Sequence, residues 1–101
     1  MLEELVRRAV EAVQPRRIIL FGSAARGTMN ANSDLDALVI IADGSDCLTA
    51  MQTLHVKLSD LGIAKNLVVV EASDVERHAE NPYLIIHTAL LEGKELYRAA
   101  S

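Results

Sequence analysis

Two short aliphatic runs, Ile18-Ile19-Leu20-Phe21 and Leu38-Val39-Ile40-Ile41, flank a polar segment that opens on Gly22-Ser23 and closes on Ser33-Asp34-Leu35-Asp36. Apolar runs of this length, bounded by turn-forming residues, read as buried strands. The order is therefore strand, Gly-Ser turn, loop, and a second strand that starts with two carboxylates. A glycine closing a strand lets the backbone approach a ligand without a Cβ in the way. With Ser23 to Arg26 as a short helical turn, the Ser23 hydroxyl and the first free N–H groups point at one spot, and phosphate is the natural guest. Alternation along the second strand puts Asp34 and Asp36 on one face, their Cα atoms about 6.6 Å apart, and turns Leu35 into the core. Two converging carboxylates repel unless a cation neutralises them, and oxygen ligands facing phosphate suit Mg²⁺. The expectation is a site for a metal-bound nucleoside triphosphate.

Bulk properties narrow the alternatives. At 101 residues the chain is expected to form one domain around one core. Half of its residues are hydrophobic but only three are aromatic, so that core is aliphatic and a base-stacking surface for single strands is not expected. A net charge of −4 argues against non-specific binding to nucleic acid. It is compatible with a nucleotide, because a metal brings its own charge. Cys47 stands alone, which points to a reducing cytoplasm rather than a disulfide framework. No apolar run approaches a membrane span, and Met1-Leu2-Glu3-Glu4 is too acidic to begin a signal peptide.

Periodicity supplies the remaining elements. Leu2, Leu5, Val6, Ala9, Val10 and Val13 recur at helical spacing up to Gln14, and Pro15 ends the helix. Arg16 and Arg17 read as solvated charges at the junction to the first strand. The second strand, about Asp34 to Ala42, is apolar enough to be covered on both faces. Asp43-Gly44-Ser45-Asp46 forms a turn with capping residues. The next helix runs to about Leu61 with Leu48, Met51, Leu54, Leu58 and Leu61 on its buried stripe, and Gly62 closes it. Lys65 to Glu71 is a third strand. Ser73-Asp74-Val75-Glu76 reads as a capping box opening a short helix through His78. A last helix begins at Pro82 and ends at Gly93; Tyr83, Leu84, Ile85 and Ile86 in succession give it more apolar surface than one stripe uses. His55, His78 and His87 have no ligand-spaced partners and read as helix-surface residues.

Gly22-Ser23, ten intervening residues and then Asp34-Leu35-Asp36 resembles the signature of the DNA polymerase β-like nucleotidyltransferases. Arg26 and Gly27 fit the pattern that follows the Gly-Ser pair. From Leu2 to the Gly93-Lys94-Glu95-Leu96-Tyr97 ending, the chain resembles a minimal nucleotidyltransferase (MNT) domain, with residues 1–101 as that single domain. The resemblance implies an α/β (α+β) fold: a small, mixed, twisted sheet of about three strands with helices packed on it. It implies ATP as substrate, with Gly22 and Ser23 at the phosphates, Ser33 as a further nucleotide-binding position, and Asp34 and Asp36 as catalytic metal ligands. Arg26 either reaches a triphosphate oxygen or sits in water. The implied partner is a HEPN-type helical protein; the surplus apolar surface of the C-terminal helix either meets that partner or is buried on two sides by the chain's own domain. The pair would be a toxin and antitoxin, the antitoxin adenylylating and silencing a HEPN ribonuclease.

One residue departs from the pattern. Members of this superfamily place a third carboxylate on the neighbouring strand, and the matching residue is Asn66; no acidic residue lies between Gly62 and Val70. Of the two Mg²⁺ ions the family implies, the second is therefore expected to be weakly held. An amide carries no charge and cannot act as a base. Binding of the triphosphate should survive better than turnover. The alternative is a catalytically weak antitoxin that neutralises its toxin by complex formation.

Overall fold

The computed structural model describes residues 2–22, 35–62, 65–78 and 85–99. The described elements are α1 (Leu2–Val13), β1 (Arg17–Phe21), β2 (Leu35–Ile41), α2 (Cys47–Leu58) with a 3₁₀ turn (Ser59–Leu61), β3 (Lys65–Glu71), α3 (Ala72–His78), α4 (Ile85–Glu92) and β4 (Lys94–Arg98). The strands form one sheet in the order β3-β2-β1-β4. β1 pairs antiparallel with both β2 and β4, and β2 pairs parallel with β3, so the sheet is mixed as expected.

Side-chain alternation divides the apolar residues between two layers. Leu35, Ala37, Val39 and Ile41 of β2 join Ile18 and Leu20 of β1 and Leu67 and Val69 of β3 under α1 and α2. Leu5, Ala9, Leu54 and Leu58 fill that layer from the helices. Leu38 and Ile40 turn the other way and join Ile19 and Phe21 under Ile86 and Ala89 of α4. Burial on both faces is what the continuous apolar run of β2 signalled, and β1 shares it.

The helix ends follow local chemistry. α1 stops at Val13 because Gln14 takes a left-handed conformation, φ +48°, and its N–H donates to Val10 O at 3.0 Å. Pro15 follows and cannot continue the helix. Asp46 caps α2, its Oδ1 accepting from Leu48 N at 3.0 Å and Thr49 N at 3.2 Å. The Thr49 hydroxyl, donating to Asp46 Oδ2 at 2.8 Å, and after it these backbone bonds hold the Asp46 carboxyl below its usual range. Gly62, φ +69°, closes the 3₁₀ turn.

Four expectations need correction or placing. Leu48 is 65% exposed, and Ala50 takes a place on the α2 stripe instead. At about 100° per residue Leu48 lies roughly 120° from the direction shared by Ala50, Leu54 and Leu58. α3 begins at Ala72, ahead of the Ser73 capping box. Asp74 reaches back to Glu71 N at 3.3 Å, while Asp43 from the turn after β2 accepts the Ser73 N–H at 2.7 Å. The Ser73 hydrogen bond holds the Asp43 carboxyl below its usual range. The sheet has a fourth strand, β4, where three were expected. Pro82, Tyr83 and Leu84, at the start expected for the last helix, lie outside the described residues.

β4 follows Gly93 directly and lies along β1. A Cβ on Gly93 would meet Ala89 O and stand 2.5 Å from Ile19 Cγ2, so the chain can cross there only without a side chain. The register slips between Ile18, which faces Tyr97, and Ile19, which faces Glu95, leaving Leu96 as the extra residue of a bulge. The bulge puts two successive residues, Leu96 and Tyr97, against the α1 side of the sheet. Among the described residues no helix is long and apolar enough to cross a membrane.

Candidate functional site

β1 ends where β2 begins, with Phe21 opposite Asp36, so Gly22 and Asp36 are brought together by strand pairing. Asp36 is half-buried while Leu35 before it is buried in the opposite layer, the alternation expected of the two. Gly22 has φ +74°, a conformation that costs any residue with a side chain. A Cβ there would also collide with Asp36 Oδ2 and stand 3.3 Å from Asp36 Cγ. The glycine thus lets the backbone pass close to one carboxylate oxygen.

On the other side of Asp36, the parallel register sets Asn66 of β3 beside it on the same face. Asn66 Nδ2 donates to Asp36 Oδ1 at 3.1 Å. Glu71, the acidic residue at the far end of β3, sits beside Ile41 and accepts the Gly44 N–H at 3.2 Å. It plays no part at the Asp36 end of the sheet.

Gly22, Asp36 and Asn66 are thereby brought together. The expectations for Ser23, Arg26, Ser33 and Asp34 concern residues outside those described. Among the described residues no group of three histidine, cysteine or acidic side chains gathers to hold a metal ion. His55 is exposed, and His78 and His87 are half-buried on their helices. Asp36, a half-buried carboxylate, is of the type that serves a hard cation as an oxygen ligand.

The arginine pair belongs to other work. Arg16 is exposed, and Arg17 lies at the end of β1 remote from Gly22. Glu95 Oε1 accepts from Arg17 Nε at 2.8 Å and from Arg98 Nε at 3.0 Å. Those guanidinium hydrogen bonds, Arg17 first, hold the Glu95 carboxyl below its usual range. The cluster ties β4 to β1. The sequence alone could not have assigned it, since it depends on a strand that the sequence does not announce.

Residues 2–90 match the family model described as nucleotidyltransferase domain. No curated protein matches the chain in sequence. Among solved structures, a chain in the crystal structure of a toxin-antitoxin with AMP-PNP superimposes with a TM-score of 0.72 at 22% identity, covering 96% of this chain and 73% of that one. A mutant of the toxin-antitoxin MntA-HpeT gives 0.70 at 21% identity, over 98% and 74% of the two chains. A structure of tri-AMPylated Shewanella oneidensis HEPN toxin in complex with MNT antitoxin gives 0.53 at 20% identity, over 97% and 67%. At these identities the likeness is one of fold, and the fold is the polymerase-β-like nucleotidyltransferase fold expected from the Gly-Ser and Asp-x-Asp pattern.

Proposed function

The chain belongs to the nucleotidyltransferase domain family, and from that premise we propose that it binds Mg²⁺-ATP at the Gly22–Asp36 end of the sheet and transfers AMP to a hydroxyl of a HEPN-type toxin, as its antitoxin. The observation that carries this reading is the close approach of the Gly22 backbone to the Asp36 carboxylate at the strand junction, which any side chain at position 22 would block. Two of the similar structures support the choice of partner and nucleotide: one is a toxin-antitoxin with AMP-PNP, the other a tri-AMPylated HEPN toxin with MNT antitoxin.

Each residue has a part in this reading. Asp36 and Asp34 are the metal ligands, and Gly22 and Ser23 hold the triphosphate with their N–H groups and the Ser23 hydroxyl. Ser33 is a second hydroxyl for the nucleotide, and Arg26 donates charge-assisted hydrogen bonds to phosphate oxygens. Magnesium, when bound, supplies positive charge that offsets the carboxylates and the triphosphate. The acceptor oxygen bonds to the α-phosphorus, the bond to the β-phosphate oxygen breaks, and pyrophosphate leaves. The acceptor proton passes to water, because Asn66 is no base. Transfer is accordingly slow. The pair acts in the cytoplasm, and the partner docks on the last helix, where Leu91 is 74% exposed.

A second reading, an antitoxin that works by binding alone with nucleotide in a structural role, is favoured by the neutral Asn66 beside Asp36. Intact mass spectrometry of a co-expressed HEPN toxin separates the two after incubation with ATP and Mg²⁺. Additions of one or more AMP units are expected with the parent chain and none with Asp34→Ala/Asp36→Ala. A toxin that stays neutralised and unmodified in both cases would select the binding reading.

A further inference from the structure

We propose that the outer edge of β4 pairs antiparallel with β4 of a second copy of this chain, Leu96 of each opposite Tyr97 of the other, joining two four-stranded sheets into one. Among the described residues β4 has a strand on one side only, so its outer backbone groups are open to pairing. Beside it, between β4 and α1, runs a groove of about 520 Å³ lined by Val6, Val10, Leu96 and Tyr97, together with Arg7 and Glu11. An open strand edge next to an apolar groove suits an added strand that supplies backbone bonds and apolar side chains. β1 separates this edge from Asp36, so the inference stands apart from the nucleotide reading.

The bulge selects the occupant. Leu96 and Tyr97 both lie on the α1 side of the sheet. Glu95 is paired with Ile19, which belongs to the α4 layer, and Arg98 bonds Glu95 on that same face. From Glu95 to Arg98 the order of faces is therefore α4, α1, α1, α4, and it reads alike from either end. Residues directly opposite in a sheet share a face. A regularly alternating strand cannot match two successive side chains on one face, but a copy with the same bulge can. The two-fold register with Leu96 against Tyr97 aligns all four residues by face, and it sets Glu95 of each chain against Arg98 of the other. Both apolar pairs then cover the grooves, and both charged pairs are of opposite sign. Sliding one residue, to put Leu96 against Leu96, sets Glu95 against Tyr97 from opposite faces and Lys94 against Arg98 with like charge. The interface is isologous, as a two-fold dimer requires.

Sedimentation equilibrium of the whole chain is expected to give a dimer, twice the 11.0 kDa of one chain. The Arg98 side chain is 65% exposed, so its replacement leaves the core untouched. Arg98→Glu creates two like-charge pairs and is expected to weaken dimerisation roughly tenfold or more. Arg98→Ala, which removes the charge without reversing it, is expected to fall between the two. Glu95→Arg is expected to weaken self-association in the same way, and an equimolar mixture of Glu95→Arg with Arg98→Glu to recover it, because every cross-strand pair is again of opposite sign. A monomeric parent would overturn the proposal and leave the groove to a different chain. A dimer equally strong in Arg98→Glu would place the contact on another surface and overturn it too. So would two folded variants that stay monomeric when mixed. Should Glu95→Arg not fold beside Arg17, the graded loss from parent through Arg98→Ala to Arg98→Glu decides, and its absence overturns the pairing.

Discussion

Replacing Asn66 by aspartate is expected to raise the rate of AMP transfer to the HEPN partner by roughly 100-fold or more, since a positioned general base contributes about 10²–10⁴-fold. The substitution exchanges a neutral donor for a carboxylate at a position that strand register already holds beside Asp36. The new group can take the acceptor proton and add charge to the cation site. It also removes the hydrogen bond to Asp36 and sets two carboxylates together. Without divalent ions the variant is therefore expected to melt below the parent, and to recover the difference when Mg²⁺ and nucleotide are added. The rate is read from the time course of modified partner by intact mass. An unchanged rate would mean that Asn66 does not limit the chemistry.

Gly22→Ala is expected to act in the opposite direction. Alanine at φ +74° costs about 1–2 kcal/mol of backbone strain. Its Cβ would also collide with Asp36 Oδ2, so the carboxylate must rotate or the strands must part. Nucleotide affinity should fall by roughly tenfold or more, corresponding to about 1.4 kcal/mol. Gly62→Ala is the control. Gly62 has φ +69° but nothing within 4 Å of a built Cβ, so it carries the strain without the collision. Urea unfolding should report a loss of stability for both variants, and calorimetric titration with Mg²⁺-ATP a loss of affinity for Gly22→Ala alone. Parent-like affinity in Gly22→Ala would contradict the placement of the site.

The sequence was legible where burial is two-sided or where a single residue dictates the backbone. β3 runs from Lys65 to Glu71 as its valine run indicated, and Gly62 closes the preceding turn in the left-handed region. The apolar runs of β1 and β2 located the Gly22–Asp36 junction, and alternation set Leu35 and Asp36 on opposite faces. β4 was not legible. Lys94-Glu95-Leu96-Tyr97-Arg98 is mostly charged, and its two apolar residues are adjacent rather than alternating. A bulge, which exists only once the strand is paired, makes that pattern workable. Leu48 misled because its spacing from Met51 is helical, yet the face is set by contact with α1 and the sheet. The cap of α3 also escaped, because Asp43 comes from a turn some thirty residues away in sequence. In the site, Asn66 was identified by strand position, but its hydrogen bond to Asp36 depends on a lateral register that a single sequence does not encode.

The central claim is that the Gly22–Asp36 junction is a metal-dependent ATP site, and isothermal titration with ATP in the presence and absence of Mg²⁺ tests it most directly. The parent chain is expected to bind ATP saturably only with Mg²⁺. Asp36→Asn, which keeps an acceptor for Asn66 but removes the charge, should bind roughly tenfold or more weakly. Binding of equal strength in Asp36→Asn, or no Mg²⁺-dependent binding by the parent, would contradict the account.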